Sequence, residues 1–234
     1  MRQIILDTET TGLDPRQGHR VIEIAAVEMV NRRLTGNHFH RYLNPDRDIE
    51  EGALQVHGIT REFLQDKPRF ADIAAELLEF VGGAELIIHN APFDTAFLNA
   101  ELALHGMGGL ETCIGEVIDT LLMARNLHPG QRNSLDALCK RYGVDNSTRT
   151  LHGALLDCEL LAQVYLSMTR GQETLVMDSS GPNAEAARED RSRQRPRPLA
   201  VQIPEQEVAA HLDLLKQIDK ESGGGCLWMQ EQAI

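Results

Sequence analysis

Cysteine, aromatic residues and positive charge are all scarce in this chain of 234 residues. Aromatic residues make up 4%, and 23 Lys and Arg face 35 Asp and Glu, a formal net charge of −12. That sign is wrong for a protein that holds a nucleic-acid duplex by itself. No Cys-x-x-Cys spacing is present, so neither a zinc site nor a disulfide framework is indicated by the four cysteines, Cys113, Cys139, Cys158 and Cys226.

Long apolar runs are also missing. Asp7 and Glu9 interrupt the apolar N-terminus, so neither a secretory leader nor a membrane span is predicted. We therefore expect a protein of the reducing cytoplasm that has no membrane partner. The length leaves room for one domain of ordinary size plus a tail.

The chain does contain acidic residues in three clusters, of which the first follows a β-prone run at residues 2–6. Side chains two residues apart on a strand point to the same face, so Asp7 and Glu9 could bind one cation while Thr8 faces the other way. Residues 10–12 (Thr-Thr-Gly) are expected to break the strand and leave both carboxylates at its open end. An Asp-x-Glu pair alone equally fits an ordinary strand terminus.

The second cluster lies between a predicted strand and a predicted helix. Residues 85–89 are short and apolar, which indicates a buried strand, and Pro92 suits the first turn of a helix. Asp94 falls in that first turn, where the helix dipole alone would explain a carboxylate. Asn90 at the strand exit either bonds its own backbone or serves a site.

The third cluster supplies a candidate base. Apolar residues at helical spacing predict a helix over residues 153–168. Asp157 follows His152 by five residues, about 500° of helical rotation, so the two would not share a helix face. His152 is therefore expected in the preceding loop, where a helix N-terminus disfavours the imidazolium and leaves a neutral ring able to accept a proton. An ordinary surface histidine is the alternative.

In this order, Asp-x-Glu, Asn-Ala-x-Phe-Asp (residues 90–94) and His-x4-Asp (residues 152–157) resemble the DEDDh exonucleases of the DnaQ-like family. The similarity is greatest to members that proofread for bacterial replicative polymerases, and it covers most of residues 1–175 and the end of the tail. It implies an α/β, RNase H-like three-layer fold with a mixed central sheet, plus a flexible C-terminal tail. Further similar segments are residues 7–12, 30–36, 56–59, 132–138 and 149–157.

The resemblance also implies a chemistry. Two divalent cations, Mg²⁺ or Mn²⁺, would stabilise the attacking and leaving oxygens, while His152 takes the proton of the attacking water. Relatives often carry a glutamate five residues before the pocket histidine, where this chain has Gly52, so no side-chain role is expected there. The metal ligands would be Asp7, Glu9, Asp94 and Asp157, and the nucleotide pocket would comprise Asp7, Glu9, Thr10, Leu54, His57, Asn90, Phe93 and Asp157.

Secondary-structure patterns and composition divide the chain. The order of the strands in the sheet cannot be derived from the sequence. Strands are predicted near residues 4–7, 21–30, 34–43, 86–89 and 117–119, and helices near 70–81, 92–105, 134–142 and 153–168. The predicted divisions are an exonuclease domain (1–171), a peptide similar to sliding-clamp ligands (172–177), a flexible linker (178–200) and a tail with helical spacing (201–234).

Partners follow from the resemblance. The substrate would be DNA with a single-stranded or frayed 3′ end, at a nucleoid-associated replisome in the cytoplasm, and a small theta-like accessory subunit is a further candidate partner. The sliding clamp (beta) would contact Gln172, Leu175 and Met177, and the polymerase catalytic (alpha) subunit would contact Leu212, Leu215, Leu227 and Trp228.

Two other functions are compatible with parts of the sequence. An RNA 3′-exonuclease of the same superfamily would share all five catalytic residues, so the catalytic motifs do not separate it from a DNA enzyme. A scaffold that only links polymerase and clamp would need the tail but no catalytic residue. The clamp-like peptide and the tail with its single tryptophan favour a replicase subunit, and the complete catalytic set argues against a scaffold alone.

Overall fold

The computed structural model describes residues 1–147, 149–170, 204–223 and 228. By its internal contacts the chain divides into two units, Met1–Leu175 and Val176–Ile234. The strands of the first unit are β1 (Arg2–Thr10), β2 (Val21–Val30), β3 (Arg33–Tyr42), β4 (Glu85–Ile88) and β5 (Val117–Asp119). Its helices are α1 (Glu51–His57), α2 (Arg61–Leu64), α3 (Phe70–Val81), α4 (Ala91–Leu104), α5 (Thr120–Leu127), α6 (Leu135–Tyr142) and α7 (Ala154–Met168), with short 3-10 turns at Pro15–Gln17 and Leu110–Thr112.

The strands form one mixed sheet in the order β3-β2-β1-β4-β5. β1, β2 and β3 are antiparallel, whereas β4 and β5 add in parallel. Because successive strand residues point to opposite faces, β1 contributes to both cores. Ile4 and Leu6 pack with α3 and α4, and Ile5 packs with α5, α6 and α7. These three layers confirm the predicted α/β fold.

Local chemistry explains where α6 begins and ends. Ser134 caps it, because its side chain accepts a hydrogen bond from the N–H of Ala137. Leu138 and Cys139 are fully buried on its inner face. Gly143 ends the helix in the left-handed region, with φ of 67°, where a side chain would be strained.

β1 ends where its break was predicted. It runs through Asp7 and Glu9 to Thr10, which pairs with Val21 of β2, and residues 11–13 then form bends. The parallel neighbour β4 pairs only with Gln3, Ile4 and Ile5. Asp7 and Glu9 therefore lie within a strand, but beyond the point where one of its neighbours ends.

Three helices were not predicted: α1, α2 and α5. All are short, with seven, four and eight residues. Caps rather than apolar periodicity define two of them. Thr60 accepts from the N–H of Phe63 at the start of α2, and Asp119 accepts from the N–H groups of Leu121 and Leu122 at the start of α5.

In the second unit, one helix, α8 (Glu205–Glu221), agrees with the helical spacing of the tail. Leu215 is buried, whereas Leu212 and Trp228 are exposed. The predicted clamp contacts at Gln172, Leu175 and Met177, the predicted linker, and Leu227 lie outside the described residues. Across the part of the chain that is described, no helix combines the length and apolar character that a membrane span requires.

Candidate active site

A cavity of about 730 Å³ opens beside the second half of β1. Its lining comes from chain segments that are far apart in sequence: β1, the exit of β4, the first turn of α4, α5, the start of α6, the segment before α7 and the first turn of α7. All five predicted catalytic and metal-binding residues line it, namely Asp7, Glu9, Asp94, His152 and Asp157. We call the four acidic members the carboxylate cluster.

The alternation of β1 places the first three of these side chains. Asp7 and Glu9 follow Ile5 on the face that carries α7, whereas Thr8 points toward α4. Thr8 donates to Asp94 Oδ1 from both its backbone N–H (3.0 Å) and its hydroxyl (2.8 Å). Asp94 therefore joins α4 to β1, so its position is not explained by the helix dipole alone.

The start of α7 brings the remaining two residues. His152 lies in the loop before the helix, as predicted, and Asp157 projects from the first turn. The backbone N–H of His152 donates to the carbonyl of Val56 in α1 (3.1 Å), which anchors the loop. Glu9, His152 and Asp157 each offer a ligand atom, and these atoms all lie within 4.8 Å of one another.

Arg149 occupies the centre of this region, and sequence reasoning did not assign it a role. Its Nε is 2.5 Å from Asp157 Oδ1, and its Nη2 is 2.6 Å from Asp157 Oδ2. A third bond joins Nη1 to Asp136 Oδ1 at 2.9 Å. The side chain is only 5% exposed. A spacing of eight residues between Arg149 and Asp157 carries no helical or strand signal that would reveal this pair.

Burial makes the carboxylate cluster costly to ionise. Burial, followed by repulsion from Asp94 and Glu9, raises the pKa of Asp7 well above its usual range. Burial, followed by repulsion from Glu23, raises the pKa of Glu9 to about 8. Burial also raises the pKa of Asp94 to about 7. Glu23, directly opposite Glu9 in the ladder of β1 and β2, is a fifth acidic residue that the sequence did not single out.

These residues fit a divalent-cation site. Carboxylate oxygen ligands suit hard divalent cations. Carboxylates that resist ionisation when crowded together are stabilised as anions when a cation lies among them, and metal binding then releases protons. The donor set and its electrostatics therefore agree with a metal-dependent exonuclease.

His152 has the protonation state that a base requires. Burial, followed by repulsion from Arg149, lowers the pKa of its imidazole. A neutral ring was expected from the helix dipole, but the largest causes of the lowered pKa are burial and Arg149. The side chain remains 45% exposed, so water reaches it.

The predicted nucleotide-pocket residues divide into two groups. Asn90 and Phe93 line the cavity, and Asn90 has a left-handed backbone (φ of 68°) with no side-chain cap bond. Thr10, Leu54 and His57 are not part of that lining. Thr10 donates to the carbonyl of Gly12 (2.7 Å), and His57 Nδ1 accepts from the N–H of Ile59 (3.0 Å). Their nucleotide contacts therefore stay a prediction.

His57 is unusual in one respect. It is 5% exposed, and its Nε2 has no hydrogen-bond partner among the described residues. The carbonyl of Thr10 is near enough to raise the pKa of His57, but burial outweighs it and lowers that pKa overall.

The metal-free protein is expected to lose stability as the pH rises from 7 to 8.5. The folded-state pKa of Glu9 is about 8, against an ordinary value of 4.5, so the folded state holds its proton more tightly than the unfolded chain. The stability that the bound proton of Glu9 contributes is complete below pH 4.5 and is lost as the pH rises through 8. His57 and His152 have lowered pKa values and therefore make stability rise with pH. They do so mainly below pH 6.5, the ordinary pKa of histidine.

Thermal unfolding in EDTA measures this loss, and we expect the melting temperature to fall by about 2–5 °C over that window. Added Mg²⁺ should raise the melting temperature more at pH 8.5 than at pH 7, because the cation replaces the proton. The variant Glu9→Gln is the control and should flatten the pH dependence. A wild-type curve that is flat between pH 7 and 8.5 would contradict the mutual repulsion.

A carboxylate cluster with a neutral histidine, set beside the central strand of a mixed sheet, defines a metal-dependent exonuclease of the RNase H-like class. The Exonuclease family model, RNase_T, matches residues 4–165. DNA polymerase III subunit epsilon of Escherichia coli (strain K12) is 50% identical over 236 residues, 97% of each chain. That of Pasteurella multocida (strain Pm70) is 48% identical over 248 residues, 99% of this chain and 95% of the other. The chain belongs to this family, the DNA polymerase III epsilon subunits, and is a 3′→5′ DNA exonuclease that proofreads during replication.

Solved structures agree with the fold. Exonuclease X in complex with 5′-overhanging duplex DNA is 30% identical, with a TM-score of 0.58 over 72% of this chain and 92% of that one. A zinc-bound complex of E. coli exonuclease I with single-stranded DNA has a TM-score of 0.63 over 76% of this chain and 42% of that one. At 20% identity the second similarity concerns the fold alone.

Proposed function

We propose that the carboxylate cluster holds two divalent cations, Mg²⁺ or Mn²⁺, and that His152 is the general base of nucleotide removal. The observation that carries the proposal is the convergence of Glu9, His152 and Asp157 within 4.8 Å, in a cavity that Asp7 and Asp94 also line. When bound, the cations would supply charge stabilisation to the attacking and leaving oxygens of the displacement.

The chain's own residues account for the remaining steps. Neutral His152, partly open to water, takes the proton of the attacking water molecule. Phe93 and Asn90, on the cavity wall, contact the terminal nucleotide, and an aromatic face suits any base because stacking is sequence-tolerant. The product is a nucleoside 5′-monophosphate, and a mispaired end enters more readily because it frays.

Arg125 supplies a phosphate contact in this scheme. It lines the cavity from α5 and forms no ion pair with any carboxylate in the described part of the chain. In a protein with a net charge of −12, such an unpaired cation beside the site is suited to a DNA phosphate.

Arg125→Ala is expected to raise KM for single-stranded DNA by about three- to tenfold, while kcat changes little, because the phosphate contact is lost outside the reacting centre. The slope of log affinity against log salt should become shallower by about 0.7, the value for one phosphate of single-stranded DNA. Steady-state kinetics and a salt titration measure both. Arg132→Ala, exposed and outside the cavity lining, is the matched control. An equal effect of the two substitutions would show that Arg125 makes no specific contact with a DNA phosphate.

We further propose that partners deliver the DNA, because the charge of the chain disfavours its holding a duplex alone. The polymerase catalytic (alpha) subunit would bind the tail through Leu212, Leu215, Leu227 and Trp228, of which Leu212 and Trp228 are exposed. The sliding clamp (beta) would bind Gln172, Leu175 and Met177, a theta-like subunit would bind the domain, and the assembly would be nucleoid-associated. The name that the relatives carry, a subunit of DNA polymerase III, supports the assembly with a polymerase.

The experiment that tests this function compares Mg²⁺-dependent nucleotide release from a 3′-mispaired DNA primer, a fully paired primer and a short RNA oligomer. We expect 5′-monophosphates from DNA, faster from the mispaired end. A large preference for RNA would replace the proposal with an RNA 3′-exonuclease. Failure to cleave either substrate, with intact binding of a polymerase subunit, would leave a scaffold.

A further inference from the structure

The guanidinium of Arg149 contacts three functional groups from three segments of the chain. It bonds both oxygens of Asp157 on α7 at 2.5 and 2.6 Å, and Asp136 on α6 at 2.9 Å. Its Nη2 also lies 3.0 Å from Nδ1 of His152 in the intervening loop. Arg149 and Asp157 have side-chain exposures of only 5% and 6%, so this network is largely shielded from water.

The contact with His152 defines which ring nitrogen is basic. A guanidinium has only donors, so at 3.0 Å the Nδ1 atom of His152 must supply the lone pair. The proton of the neutral ring is then on Nε2. Nδ1 is also 3.6 Å from Asp157 Oδ2, so the basic nitrogen points toward the carboxylate cluster. Arg149 thus holds the ring with Nδ1 toward the cluster until the attacking water takes the place of its N–H on Nδ1 and gives its proton to the freed lone pair.

The contact with Arg149 fixes the Asp157 carboxylate, which neighbouring carboxylates repel. Asp157 is buried beside Asp7 and Glu9 and raises the pKa of both, so like charges push these side chains apart. Two parallel N–H bonds from a planar guanidinium resist that movement, and a bidentate pair fixes the plane of the carboxylate as well as its place. A lysine would supply the charge but not this orientation.

We propose that Arg149 is a positioning residue of the exonuclease: it fixes the plane of the Asp157 carboxylate and keeps Nδ1 of His152 turned toward the carboxylate cluster. The inference rests on the proposed roles of Asp157 and His152. Arg149 touches neither the cations nor the DNA in this scheme; it acts through Asp157, a proposed metal ligand, and through His152, the proposed base. Asp136 anchors its far side, so α6 contributes to the site without a catalytic residue of its own.

The test uses the full chain and the substitutions R149Q and R149K. Mn²⁺ affinity, measured by calorimetry without DNA, should weaken about 10- to 100-fold in R149Q, the usual effect of removing a group that orients a metal ligand. At saturating Mn²⁺, kcat on a mispaired primer should fall about 100-fold, with KM for DNA within about threefold of wild type. The kcat of R149K should exceed that of R149Q by less than tenfold, because a lysine cannot supply the two parallel bonds.

A matched control is available at Arg20. It makes the same kind of bidentate pair with the buried Glu101, at 2.8 and 2.6 Å, and it is not part of the cavity lining. R20Q should lower the melting temperature as R149Q does, yet leave Mn²⁺ affinity and kcat near wild type. If R149Q melts below the assay temperature, R149K carries the comparison, with kcat at least tenfold below wild type. Methylguanidinium should restore part of the activity of R149A but none to R20A.

Several outcomes would overturn the inference. Mn²⁺ affinity that is unchanged or tighter in R149Q would show that Arg149 does not orient a ligand, or competes with the cation. Equal loss of kcat in R20Q and R149Q would reduce Arg149 to a structural ion pair. A wild-type chain that binds Mn²⁺ but releases no nucleotide would instead refute the proposed function, so the two failures are distinguishable.

Discussion

His152→Ala is expected to reduce kcat for nucleotide release by 10²–10⁴-fold, the typical contribution of one positioned general base. The ring is neutral, lies in the loop before α7 and reaches water at the cavity edge. Without it the attacking water must lose its proton to solvent. KM for DNA should change far less than kcat, because Phe93 and Asn90 form another part of the wall. Single-turnover release of 5′-monophosphates from a mispaired primer measures the loss.

The control for this prediction is His38→Ala. His38 is exposed on β3 and takes no part in the cavity. Its removal should leave kcat unchanged. A reduction of less than tenfold in His152→Ala would assign proton transfer to another group, and a reduction confined to KM would make His152 a binding residue.

Asp7→Asn is expected to lower activity about 10³-fold and, in the same protein, to raise thermal stability when no metal is present. The activity falls because the cation site loses a charged ligand, and several kcal/mol of charge stabilisation correspond to two or three powers of ten in rate. The stability rises because the Asp7 carboxylate is destabilised by burial and by Asp94 and Glu9. An amide of nearly the same shape removes that repulsion.

Two measurements check this pair of effects, nucleotide release in Mg²⁺ and thermal unfolding in EDTA at pH 8. Asp14→Asn is the control, since Asp14 is paired with Arg16, whose hydrogen bonds lower the pKa of Asp14 to about 2. That substitution should leave the rate unchanged and give no gain in melting temperature. If Asp7→Asn loses activity but gains no stability, the carboxylates do not repel one another as the structure indicates.

Much of this fold is predictable because its signals are local. The bounds of β2, α3 and β5 agree with the sequence prediction at both ends, since each has a continuous apolar pattern between clear turn residues. α1, α2 and α5 bury only one or two residues each, too few to give an apolar stripe that a sequence pattern could reveal. The order of the strands could not be predicted, because the pairing of β1 with β2 on one side and β4 on the other is non-local.

The candidate site divides in the same way. Asp7, Glu9, Asp94, His152 and Asp157, which the sequence motifs single out, line one cavity, and their catalytic and metal-binding roles stay a prediction. The groups that surround them were missed, because no sequence spacing marks their contacts. Glu23 accepts from the N–H of Ala154, 131 residues away, and Arg149 reaches the carboxylate cluster through side-chain geometry alone. Residue types at fixed spacing identify ligands, whereas the residues that orient ligands need coordinates.

The assembly of the sheet has a consequence for biosynthesis. β1 is central, yet its parallel neighbour β4 begins at Glu85, and the helix that carries Asp157 ends at Met168. A nascent chain therefore exposes Asp7 and Glu9 long before their partners leave the ribosome. Nuclease activity should appear abruptly, only when residues beyond 168 have emerged, and shorter translation products should be inert toward DNA. Because the site needs residues from both ends of the domain, an incomplete domain has no nuclease activity.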